Sequence, residues 1–154
     1  MKKYILTLSK TFPKSHKRSG ELTGFESALL NALNDADSTG QRKLHTIRAN
    51  YELWEHRFAE INSGKAVLSI REWTGSPYRS KQREIIALGK DDGIGLQALY
   101  LTDLMRPGKI EGNEIRLPLI AMFDGLSFND WFYWFSRYDI SKPLAVIHFT
   151  KFRY

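Results

Sequence analysis

The feature that most constrains this chain is a series of β-prone runs, each a few residues long and closed off by turn residues. Such runs are Tyr4–Leu8, Thr46–Arg48, Ala66–Arg71, Glu84–Leu88, Leu96–Leu101 and Leu144–Phe149. Three segments break the pattern with apolar residues at helical spacing. Phe25, Ala28, Leu29, Ala32 and Leu33 make the first stripe, and Tyr51, Trp54, Phe58 and Ile61 the second. Phe128, Trp131, Phe132 and Phe135 make the third, widened by Trp134 and Tyr138. The order is strand, helix, strand, helix, several strands, helix, strand. In a chain of 154 residues this predicts one α+β domain spanning 1–154. Its form would be a partly closed, mixed β-barrel with about three flanking helices.

Local signals set the boundaries. Asn50 is placed to cap the second helix, and Ser63-Gly64 to close it. Ser127 opens the last helix with Asp130 three residues on, as in a capping box. Asp37-Ser38-Thr39-Gly40 is expected to end the first helix. Gly112-Asn113 reads as a tight hairpin turn, and Pro118 limits strand pairing after it. Thr11 to Gly20 is a loop without periodicity.

The chain has no cysteine, which excludes disulfides, thiol catalysis and Cys-based zinc sites. No apolar run is long enough to span a bilayer and no signal-like segment follows Met1, so a soluble cytoplasmic protein is expected. His16, His56 and His148 lack ligand spacing, so neither metal nor cofactor is expected. The net charge of +6 is uneven: residues 1–24 carry six cations against one acid. A second basic cluster is Tyr78-Arg79-Ser80-Lys81-Gln82-Arg83. Basic loops interleaved with aromatics suit phosphate contacts and base stacking. The plain alternative is a solubilising surface.

Lys43-Leu44-His45-Thr46-Ile47-Arg48 concentrates cations, a hydroxyl and an imidazole between two amphipathic segments. On a strand, Thr46 and Arg48 share one face, and His45 and Ile47 the other. This reads as the floor of a polar pocket or as an edge strand with a solvated face.

The Lys-x-x-Thr-x-Arg strand and the acidic lead-in Asp124-Gly125-Leu126-Ser127-Phe128-Asn129-Asp130-Trp131-Phe132, in this element order, resemble the ASCH family of the PUA-like superfamily. Arg48-Ala49-Asn50-Tyr51 and Gly75-Ser76-Pro77-Tyr78-Arg79-Ser80-Lys81-Gln82 resemble a bacterial subgroup of it. The resemblance implies a PUA-like pseudobarrel and a link to RNA or modified nucleosides. One branch is similar to acetylcytidine amidohydrolases. Its catalytic Lys, Thr and Glu fall by position on Lys43, Thr46 and Asp124, with Asp one methylene shorter than Glu.

Three functions follow as expectations. The first is an RNA- or nucleotide-binding module, RNA before DNA. It would have Lys43, Thr46, Arg48 and Asp124 in the pocket, His45 beside them, and Lys14, Lys17, Arg18, Tyr78, Arg79 and Lys81 outside. The second is an amidohydrolase acting on an acylated nucleoside. Thr46 would be its nucleophile, Lys43 the base with its pKa lowered by burial, Arg42 and Arg48, and Asp124 the proton carrier. Residues 43 and 46 face opposite ways on a regular strand, so this set requires Lys43 in the turn before the strand, or a bulge. The third is a protein-interaction domain using Trp73 and Tyr78. The sequence leaves the oligomeric state open.

Overall fold

The computed structural model describes residues 1–34 and 40–154. In chain order the elements are β1 (Lys2–Leu8), α1 (Phe25–Asn34), β2 (His45–Arg48), α2 (Tyr51–Asn62), β3 (Ala66–Trp73) and β4 (Gln82–Leu88). There follow β5 (Gly95–Leu99), β6 (Gly108–Ile110), β7 (Asn113–Ile115), α3 (Leu117–Phe123), α4 (Phe128–Phe135) and β8 (Leu144–His148). The fold is mixed α+β, with its strands in small sheets. One sheet runs β1-β3-β4, with β1 parallel to β3 and β4 antiparallel. A second, antiparallel throughout, runs β2-β8-β5. The hairpin β6-β7 stands apart, tied to the chain after β5 by a bridge between Tyr100 and Lys109.

β8 explains its own position. Leu-Ala-Val-Ile-His has no polar alternation until its end, and all five residues are buried. A strand covered on both faces reads as such a run; here it lies between β2 and β5. The helical stripes pack as their spacing requires. Phe25, Ala28, Leu29 and Ala32 of α1 are buried, as are Trp54, Phe58 and Ile61 of α2. Of these, Phe25, Leu29, Trp54, Phe58 and Ile61 join Leu6, Leu68, Ile70 and Val146 in one apolar core. Asn50 caps α2 by accepting from the backbone N–H of Leu53, and Gly64 closes it with φ 80°.

The structure corrects the sequence reading in several places. The hairpin turn is Glu111-Gly112 rather than Gly112-Asn113, since Ile110 pairs with Asn113. Both turn residues have positive φ, 51° and 80°, as a two-residue hairpin turn demands. Leu117 is no strand residue, and Pro118 marks no edge or bulge. It lies in the first turn of α3, where its missing N–H leaves no hydrogen bond unmade. There are therefore four helices among the described residues, not three. The capping box of α4 is half formed. Ser127 accepts from the Asp130 N–H, while the Asp130 carboxylate pairs with Arg18 at 2.5 Å. The expected end of the first helix at Asp37-Ser38-Thr39 lies outside the described residues. Among the described residues no helix is long and apolar enough to cross a membrane.

Candidate functional site

β2 supplies the first half of the site. Its alternation puts Thr46 and Arg48 on one face, and Arg48 Nη1 donates to Thr46 Oγ1 at 2.7 Å. The same guanidinium donates to the carbonyls of Ile47 (3.0 Å) and Thr7 (2.8 Å). It therefore ties β2 to the end of β1 while fixing the threonine hydroxyl.

Lys43 lies before β2, where the sequence reading needed it. Its backbone forms an isolated antiparallel bridge with Asp124, and the next residue, Leu44, donates to Phe123 O at 2.8 Å. Freed from strand alternation, the Lys43 side chain enters the same cavity as Thr46. Its ammonium donates to Asp124 Oδ1 and to Asp124 O, both at 2.7 Å, and lies 4.0 Å from the centre of the Phe25 ring.

Asp124 is placed by α3. It is the C-cap of that helix, and its N–H donates to Ile120 O and Ala121 O. Gly125 completes the turn with φ 79°, and a Cβ there would sit 3.2 Å from Lys43 Cβ. Glycine thus answers both a left-handed backbone and a close approach.

The cavity bounded by these groups has a volume of about 200 Å³. Its lining includes the polar groups of Lys43, Thr46, Arg48 and Asp124 and the aromatic rings of Phe25, Trp134, Phe135 and Tyr138. Thr7 and Ser9, at the end of β1 and just past it, form part of the wall. Burial favours the neutral forms of the ion pair: it drives the Lys43 ammonium pKa down and the Asp124 carboxyl pKa up. Their mutual attraction opposes both shifts, and Arg48 pushes in the same direction as burial on Lys43 but against it on Asp124.

His45 points to the other face of β2, away from this cavity. Its Nε2 meets the Tyr154 hydroxyl at 2.5 Å, and its Nδ1 stays 3.9 Å from Asp124 Oδ1, too far to hydrogen-bond. Burial holds its pKa well below the usual range, so the ring is neutral. The neighbouring His148 donates Nε2–H to Gln97 Oε1 at 2.9 Å, and burial lowers its pKa to about 3.

The basic loops gather at one end of the first sheet. Parallel pairing sets Leu8 beside Glu72. The loop that follows β1 and the Thr74–Lys81 loop that follows β3 therefore leave from the same end, beside Thr7 and Ser9. Gln82 Nε2 donates to Thr7 Oγ1 at 3.0 Å, linking the second loop to the cavity wall. Lys14, Lys17, Arg79, Lys81 and Tyr78 are exposed. Lys17 lies over the Tyr133 ring. Arg18 is engaged within the protein, with Glu21 and Asp130, which pins its loop to α4. Buried His16 adds a second pin, with Nε2 3.0 Å from Asp130 O. Among the described residues no cluster of three or more His, Asp or Glu could hold a metal ion.

No protein-family model, curated protein or solved structure matches this chain. The geometry stands by itself.

The aromatic wall was not assigned to the site from the sequence. Phe25, Trp134, Phe135 and Tyr138 sit in helical stripes or beside them, and periodicity gives a cavity wall and a core the same signature. Gly125 carried a usable signal: Asp-Gly ahead of a helix marks a turn with φ > 0 at the glycine.

Proposed function

We propose that this chain is an RNA- or nucleotide-binding module of the ASCH kind, a PUA-like pseudobarrel whose cavity receives one nucleobase or modified nucleoside. One observation carries this reading: Lys43, Thr46 and Arg48, from the segment around β2, and Asp124, from the end of α3, line a single small hole together with aromatic rings. A volume of about 200 Å³ is below the ~300–1,000 Å³ typical of drug-sized pockets. It suits one ring system. Half-buried Trp134 and Tyr138 offer rings for stacking, Asp124 accepts from an exocyclic amine, and Arg48 and Thr46 offer donors to a base edge. Outside, Lys14, Lys17, Arg79 and Lys81 are available to phosphates. The test is titration of a short single-stranded RNA at increasing salt. Binding that weakens steeply supports the reading; absent or salt-insensitive binding rejects RNA as the ligand.

A second reading, hydrolysis of an acyl group from a nucleobase amine, is favoured by Lys43, Thr46 and Asp124 lining the same cavity. Neutral Lys43 would take the Thr46 proton as Oγ1 attacks the acyl carbon, then pass it to the departing amine. Water, deprotonated by Asp124, would cleave the resulting ester, freeing the acid and restoring the hydroxyl. Arg48 would hold the oxyanion. Incubation with acetylated cytidine tests this: turnover abolished by Thr46→Ala and by Lys43→Ala supports it, and no deacetylation by the unaltered protein rejects it.

A further inference from the structure

Tyr78 is 90% exposed, yet its backbone has φ 63°. This left-handed conformation disfavours a large side chain. No burial of the phenol offsets that cost. The loop around it is nonetheless well tied. Thr74 and Lys81 close its base, with the Thr74 N–H and hydroxyl both donating to Lys81 O (2.9 and 2.8 Å). Ser80 Oγ accepts from the Gly75 N–H and donates to Ser76 O (3.0 and 2.8 Å). The Arg79 N–H donates to Ser76 O at 3.1 Å. The result is an aromatic ring held out from a rigid support, with the Trp73 ring 5.2 Å away at a 50° tilt.

The surroundings select the occupant. From Thr74 to Lys81 the loop carries two cations and no acid, and the acid beside Trp73, Glu72, is turned to Arg83 at 3.6 Å. Trp73 pairs with Gln82 across the β3–β4 ladder, and Gln82 reaches Thr7, a wall of the cavity. Gln82 thus links the cavity wall to the Trp73–Tyr78 rings.

We infer that Trp73 and Tyr78 form a second base-stacking platform, so that the ligand is a single strand of RNA rather than a free nucleoside. This rests on the nucleic-acid reading above. The first base occupies the cavity, a neighbouring base stacks on Tyr78, and Arg79 and Lys81 contact the phosphates near it. A duplex keeps its bases paired and stacked, and offers the platform no free face.

The test uses fluorescence anisotropy with a labelled, mixed-sequence single-stranded RNA of about ten nucleotides, a length within the usual range of such sites. In parallel, NMR follows the unaltered protein with the common nucleoside 5′-monophosphates. Tyr78→Asn is the decisive variant, because asparagine tolerates the left-handed backbone, and thermal melting confirms that it folds. It is expected to weaken RNA binding about tenfold or more, and Tyr78→Phe to retain the affinity. Full RNA affinity in Tyr78→Asn overturns the inference. If the protein binds monophosphates but the RNA no more tightly, the platform is rejected and the cavity reading stands. If it binds neither, the cavity reading fails as well.

Discussion

The ammonium of Lys43 lies 2.7 Å from the carboxylate of Asp124, with both side chains almost wholly buried. The two residues are 81 apart in the chain. This pair joins the segment before β2 to the end of α3 and forms one wall of the cavity.

A buried pair is more sensitive to the loss of one member than of both. Lys43→Met alone or Asp124→Leu alone leaves a charged partner without its counter-ion, at a cost of about 3–5 kcal/mol. The double replacement removes both desolvation costs and is expected to recover most of that loss. Urea denaturation of the two single variants and the double variant measures the coupling. Strictly additive losses would show that the pair contributes nothing as a pair.

Gly125→Ala is expected to destabilise by about 1–3 kcal/mol, the range for a residue held in a disfavoured backbone region. The added Cβ also presses on Lys43 Cβ at 3.2 Å, so the proposed RNA binding should weaken along with stability. Ala at Gly112 provides a comparison, since it shares the positive φ but meets nothing within 4 Å. Equal effects on RNA binding at the two positions would exclude a role for the contact with Lys43.

Acid should weaken the fold through His148. Its folded pKa is about 3, against about 6.5 in an unfolded chain. Between those values the unfolded state binds a proton that the folded state does not. Stability therefore falls as pH drops from about 6.5 to about 3, by up to ~1.4 kcal/mol per pH unit for this group. Buried His45 shifts in the same direction. Replacing His148 with Phe should flatten the slope of stability against pH in this window, whatever it does to stability at neutral pH. An unchanged slope would mean that other groups carry the acid sensitivity.

The proposed binding to RNA should lose about one unit of salt slope for each phosphate-contacting cation removed. Arg79→Ala and Lys81→Ala are expected to do this. Lys2→Ala is not, because Lys2 pairs with Glu60 at 3.1 Å and sits at the opposite end of β1 from the cavity. Equal slopes in all three variants would show that the charge acts only as a diffuse field.

The chain's own chemistry was enough to locate most elements. Apolar spacing marked α1, α2 and α4, and Asn50, Gly64 and Ser127 acted as caps where their side chains and backbone preferences place them. These are local effects, decided within a few residues. The alternation of β2 likewise separated Thr46 and Arg48 from His45. α3 was harder to read. It has seven residues, too few for periodicity to distinguish it from a strand, and Pro118 is compatible with both a strand edge and a first helical turn.

Sequence alone thus determined the helix faces, the caps and the grouping of polar residues on β2, because each depends on near neighbours. Tertiary structure decided that Lys43 reaches Asp124, that Phe25, Trp134, Phe135 and Tyr138, which belong to the core or pack against it, also wall a hole, and that two basic loops share one end of a sheet. Those outcomes depend on strand pairing between distant segments and on how α3 docks. Contacts so far apart in the chain are selected by the packing of the whole fold, and no local propensity encodes them.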